Sequence, residues 1–436
     1  MQVSDYDVSN HGRDPLSYTR RQFLESASAA GFITPLSIKN RDAEPSDKEQ
    51  AKSPEVVKRV QSINDPLGVR GDFPVVEEHL YLNSPYITPS PQQVIAAGNA
   101  FWQAKSHNPI LLGDMLTETT RVRQQFAQLI GAIETEVSIL DATSAGENLV
   151  AGSLDLRSGD NVVVDDLHYE TTYALYRNLA ETRGIELRIV RSDNGAATPE
   201  EFEELVDDAT RLVSVAWVSH QNGYAHDLRA LADLAHGHGA YLYTDAIQGI
   251  GMLPLDVRKT GVDFLTAGTY KWLLGGYGVA PFFVRSELLD TIEPDRSGSL
   301  NIAQELPDFH FELHDDARKY LYATPAFGAI YQLGAALDYL DNVGIANIER
   351  HTVALARRLY DGLMAQGHRL LTPPGNGSAI VLFEHNHDPE TVRQSLGKAA
   401  VQATLREEGV KIRVGAALFN NEDEIDKFLE ITDGWR

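Results

Sequence analysis

From about residue 81 onward, short apolar runs alternate with longer stretches in which apolar residues recur every three or four positions. VSILDAT, NVVVDDLHY, LRIVRS, LVSVAWVSH, AYLYTDA and DFLTAGT are strand-like runs. Between them, SAGENLVAGSLDL, ETTYALYRNLAETRG, EEFEELVDDA and ALADLAHGHG carry helical spacing. Ahead of them, YLNSPYITPSPQQVIAAGNAFW reads as a short strand, a Pro-rich loop and a helix, and ETTRVRQQFAQLIGA as a helix closed by glycine. Such alternation predicts an α/β fold, a parallel sheet with helices on both faces. Ligands of such sheets sit beyond the carboxyl ends of the strands.

After Val284 the pattern changes. A polar stretch from about Pro294 to Lys319 reads as irregular. The helices PAFGAIYQLGAALDYLDNVG and IERHTVALARRLYDGLMAQG follow, then strand SAIVLFEH. One helix is predicted over the whole of PETVRQSLGKAAVQATLREEG, before strand KIRVGAAL and helix NEDEIDKFLEIT. The expected organisation is a signal and linker over 1–60, an N-terminal segment packing on the small domain over 61–95, a large cofactor-binding domain over 96–325, and a small C-terminal α/β domain over 326–436.

The first sixty residues differ in character. Tyr18-Thr19-Arg20-Arg21-Gln22-Phe23-Leu24 resembles the twin-arginine export motif, and a polar linker, KNRDAEPSDKEQAKSPE, follows a small-residue run. This predicts a periplasmic, exported protein; the alternative is an amphipathic tail on a cytoplasmic one. The net charge of −24 over 436 residues argues against nucleic acid and anionic membrane as partners. With no cysteine, the chain has no disulfide, no thiolate metal site and no thiol nucleophile. No apolar run is long enough to span a bilayer.

Candidate chemistry centres on Lys271, set in Thr269-Tyr270-Lys271-Trp272 just past a strand and followed by glycines. A lysine walled by aromatics suits a Schiff base with pyridoxal phosphate, which also calls for an acid at the pyridinium nitrogen. Asp245 ends the preceding strand and fits that role; Gln248, one turn later, faces the cofactor's phenolic oxygen. Thr143 and Ser144 stand between a strand and a helix, where hydroxyls and free amides bind phosphate. Tyr169, with His168 second, ends a strand where an aromatic can cover the ring. Thr269 is a further phosphate candidate, and Arg413 a carboxylate binder. His236 and His238, His385 and His387, and His310 and His314 lack a carboxylate at ligand spacing, so no metal is assigned. Neither G-x-S-x-G nor a dinucleotide loop occurs, which counts against hydrolase and dehydrogenase readings.

Taken together, TDAIQG and TYKWLLGGYGVAPFFV resemble the class V aminotransferase family of fold-type I pyridoxal-phosphate enzymes, over roughly Tyr81 to the C-terminus. That resemblance implies a large domain with a mostly parallel seven-stranded sheet, a small C-terminal α/β domain, and a homodimer with shared active sites. It implies Lys271 as the Schiff-base lysine, Asp245 and Gln248 as ring partners, Thr143 and Ser144 as phosphate ligands and Tyr169 as the stacking group. It places His220 and Asn222 near the cofactor and Thr324 at the phosphate of a neighbouring subunit. Arg413, Asn83 and Tyr86 then face an amino-acid-like substrate. Gly268 and Ala142 depart from the family's usual phosphate loop, and the missing cysteine excludes a desulfurase mechanism through a protein persulfide. The expected activity is aminotransferase. The alternatives are a lyase (C–S or other β-elimination), an epimerase, an exported tailoring enzyme of a siderophore or other secondary metabolite, and, remotely, a non-catalytic cofactor-binding protein.

Overall fold

The computed structural model describes Ser62 and residues 64–435; the paired-arginine motif and its linker lie outside them. Seven strands form the main sheet: β1 Val137–Leu140, β2 Asn161–Asp165, β3 Glu186–Val190, β4 Thr210–Ala216, β5 Tyr241–Asp245, β6 Phe264–Thr266 and β7 Ala280–Val284. Their spatial order is β1-β7-β6-β5-β4-β2-β3. Only β7 runs against its neighbours β1 and β6; the remaining pairings are parallel. Every residue of β2 and β7 is buried, as expected for a sheet covered on both faces.

Helices fill the crossovers as the apolar spacing predicts, among them Thr143–Ser153, Glu170–Arg183 and Leu228–Gly237. The first packs unusually close to the sheet. A Cβ added at Gly146 would overlap the Thr266 hydroxyl and sit about 3.0 Å from its Cβ. This approach sets the start of the helix at the strand ends. Gly146→Ala is expected to lower the denaturation midpoint by about 1–3 kcal/mol of stability through overpacking, read by urea titration.

The small sheet is antiparallel, built from β8 Arg369–Leu370, β9 Ile380–Glu384, β10 Thr404–Arg406 and β11 Lys411–Gly415 in the order β8-β9-β11-β10. Helices Ile345–Ala365, Pro389–Lys398 and Glu422–Asp433 pack with it around Phe383, Ile412 and Phe428. Here the expectation of one helix from Pro389 to Gly409 is corrected. The helix stops at Lys398, Ala400 takes a positive φ of 52°, and the chain continues as Val401–Gln402 and β10. Val401, Ala403 and Leu405 alternate toward the apolar cluster, a period of two hidden in a run that also satisfies helical spacing. A second correction falls in the stretch read as irregular: Ile302–Leu306 and His310–Leu313 pair as an antiparallel hairpin.

Candidate functional site

A cavity of about 920 Å³ opens beyond the carboxyl ends of β1, β2, β4, β5 and β6. Its lining draws on the segments that follow those strands, on the loop around Tyr86, and on β10 and β11 of the small sheet.

Lys271 lies at its floor with 8% of its surface exposed. Its Nζ sits 5.8 Å from the centre of the Tyr270 ring, which stacks on Tyr277 at 4.7 Å. Burial pulls the ammonium down to about 8, against the attraction of Asp245. Asp245, at the end of β5, is also buried, and burial pushes its carboxyl above the usual range. His168, the Ile247 N–H at 2.9 Å and Lys271 work against that rise. A strand-end carboxylate short of a strong cation partner is the environment a protonated ring nitrogen would complete.

Thr143 and Ser144 begin an 11-residue helix and line the cavity. A helix start leaves amide donors unpaired and carries the positive end of the macrodipole. Thr143 Oγ1 accepts from the Gly268 N–H at 2.9 Å, which orients the hydroxyl and leaves its own proton free to donate. Gly268 therefore does not weaken this end of the site; its amide holds Thr143 in place. Thr269 must be removed from it. Its fully buried hydroxyl donates to the Gly276 carbonyl at 2.6 Å and lies outside the cavity lining.

Tyr169 lines the cavity half-exposed, edge-on to His220 with ring centres 5.1 Å apart. His168 does not reach the cavity. Its Nδ1 accepts the Tyr169 N–H at 2.7 Å, and this turns the ring inward against Thr172, Ser214 and the buried Glu147. Asn222 also leaves the site. Its amide donates to the Gly195 carbonyl at 2.7 Å and the Leu371 carbonyl at 3.3 Å, joining the large domain to the small one. His220 stays. It lies 3.4 Å from a Glu170 oxygen without hydrogen-bond geometry, and burial lowers its pKa to about 2, so the ring is neutral at physiological pH.

Gln248 spans the cavity wall, donating to the Pro85 carbonyl and accepting from the Trp272 indole, each at 2.8 Å. One amide proton remains for a ligand. Tyr86 reaches the mouth, 60% exposed. Asn83 does not line the cavity; its side chain accepts from Thr404, which accepts from Arg413 Nη2 at 3.1 Å. It supports the substrate end from behind. Arg413 is buried on β11, donates to the His220 carbonyl, and has its pKa lowered to about 9 by burial and by Arg406. Thr324 is exposed and outside this cavity, lining a neighbouring one of about 230 Å³ that shares Asp141 and Gly278 with it.

Arg406 was not anticipated. It reaches the cavity from β10, the strand concealed in the apparent helix, and its buried Nε has no hydrogen-bond partner. The alternation of Val401, Ala403 and Leu405 was the signal that placed it.

The family model described as aminotransferase class-V matches residues 80–428. A probable cysteine desulfurase of Methanothermobacter thermautotrophicus is 28% identical over 385 residues, covering 82% of this chain and 94% of its own. An uncharacterized aminotransferase of Bacillus subtilis is 27% identical over 353 residues, covering 81% and 93%. Among solved structures, the apo cysteine desulfurase of Thermococcus onnurineus superposes with a TM-score of 0.78 at 23% identity, over 86% of this chain and 99% of that one.

Proposed function

The chain belongs to the class V aminotransferase family, pyridoxal-phosphate enzymes of fold type I, and from that premise we propose that it is an amino-acid lyase, eliminating a β-substituent and releasing the amino group as ammonia. The observation that carries this reading is the buried Lys271, held near pH 8 beside Asp245 and across the cavity from Arg413. Cysteine desulfurases are prominent among the relatives, and a cystine C–S lyase has the same fold. With no thiol of its own to take sulfur, this chain suits a reaction in which the leaving group departs free.

The cavity fits the cofactor. Lys271 would hold it covalently, Thr143 and Ser144 its phosphate, Asp245 its ring nitrogen, Tyr169 its ring face and Gln248 its phenolic oxygen. Bound there, pyridoxal phosphate supplies an electron sink joined to the substrate α-carbon. Arg413 holds the α-carboxylate through two parallel hydrogen bonds. Lys271 Nζ, neutral once its proton is lost, takes the α-proton. The β-substituent leaves with its bonding electron pair, and water converts the resulting unsaturated amine to a 2-oxo acid and ammonia. His220, neutral and facing the same space, can hold the leaving group by a hydrogen bond, and the proton that Lys271 Nζ has taken from the α-carbon is the one passed to it. The working form in this reading is a homodimer, with Thr324 serving the phosphate end of the second copy's site.

An amino-acid panel incubated with purified, cofactor-loaded protein tests the reaction. Ammonia and 2-oxo acid released from the amino acid alone are expected, and lost in Lys271→Ala. Product formed only when a 2-oxo acid acceptor is added would replace the lyase by an aminotransferase. Solvent-proton exchange at Cα without ammonia would make it an epimerase.

A further inference from the structure

We propose that the substrate carries a second carboxylate, at the far end of its side chain, and that Arg406 is the residue that selects it. The inference rests on the amino-acid site proposed above and names its substrate class.

Arg413 and Thr404 face each other across the β10–β11 pair, and Arg406 is two residues beyond Thr404, on the same face. Cross-strand diagonal neighbours lie about 7–8 Å apart at Cα, within reach of long side chains. Both guanidiniums line the one cavity, and each has a buried Nε with no hydrogen-bond partner. Among the described residues neither has a carboxylate within 4.0 Å. Burial lowers both pKa values, and Arg406 further lowers that of Arg413. Two acids act on Arg406 from beyond ion-pair distance: Glu170 at the cavity wall, 66% exposed, which also acts on Arg413, and Glu407, which is paired with Lys411. One α-carboxylate neutralises one of two such cations. Arg406 is half-buried with its Nε shielded from solvent and unpaired, and a second carboxylate would recover part of what that desolvation costs. Arg406 points into the substrate cavity, so the anion it lacks is placed to come from the ligand.

The test uses cofactor-loaded protein and two four-carbon acids as probes, succinate and butyrate, with binding read by calorimetry. Succinate is expected to bind roughly 10-fold or more tightly than butyrate, the worth of one charge-assisted hydrogen bond. Arg406→Gln should abolish that preference while leaving butyrate affinity in place, and Arg406→Lys should restore part of it. Equal binding of the two acids by the wild type would overturn the proposal. So would an Arg406→Gln variant that loses affinity for both alike, since Arg406 would then share the first carboxylate or serve structure. If Arg406→Gln fails to fold, the wild-type and Arg406→Lys preferences decide the matter alone. Failure of the underlying enzyme reading has a separate signature: no visible absorbance from a lysine-bound cofactor, whatever the acids do.

Discussion

Lys271→Met should give an apoprotein more stable than wild type by about 3 kcal/mol at pH 7, with the enzyme inactive. The folded-state pKa is about 8 against an ordinary 10.5, a difference of 2.5, and each pKa unit is worth 1.36 kcal/mol. A lowered lysine pKa means the folded state disfavours the proton that the unfolded chain keeps. The penalty is complete below pH 8, shrinks as pH rises from 8 to 10.5, and is gone above that. The stability advantage of Lys271→Met over wild type should follow the same curve, read as denaturation midpoints across pH. An advantage that is flat with pH would contradict a perturbed amine. The same shift makes the neutral amine roughly 300-fold more abundant at pH 7 than in an ordinary lysine. That is the form that captures a carbonyl and removes a proton.

Asp245→Asn should cut turnover by about 10²–10³-fold while the protein still folds. The amide keeps the shape and can still accept from the Ile247 N–H, but it no longer supplies the charge that keeps a ring nitrogen protonated. Removal of one preorganised electrostatic partner in a dry site has a cost of that size. Asp245 also raises the Lys271 pKa, so the variant's lysine should titrate lower still. The pH–rate profile should therefore move to lower pH on its basic-group limb. A variant with wild-type turnover would remove Asp245 from the chemistry.

Much of this was readable because the chemistry sits where the hydrophobic pattern ends. Lys271 and Asp245 each follow an apolar run short enough to be a strand, and strand ends fix direction as well as place. Loop side chains were less legible. Thr269, His168 and Asn222 have the right residue types at the right spacing, yet each satisfies a buried backbone or side-chain partner first. Whether a polar group faces ligand or protein depends on carbonyls brought from far along the chain, and spacing does not carry that information. Arg406 illustrates the reverse case. KAAVQATLREEG satisfies both helical and strand periods, and only packing against Ile412 and its neighbours chooses between them. The hairpin at Ile302–Leu313 escaped for another reason: its strands are short and exposed on both faces, Ala303 and Phe311 included, so no buried face gives them a pattern that stands out.

The turn between Ser219 and Tyr224 bonds to the small sheet at several points. Asn222 donates to the Leu371 carbonyl, Thr372 donates to the Asn222 carbonyl, Ser378 to that of Gly223 and Arg413 to that of His220. Swinging the small sheet outward would unpair these partners together, at about 1 kcal/mol for each bond. Arg413 is thus bolted to the element that carries the strand-end chemistry, and the distance from carboxylate grip to reacting amine is built in before any ligand arrives. In the reaction proposed above, the site would then work as a fixed gauge, and a substrate of the wrong span would be refused by its length.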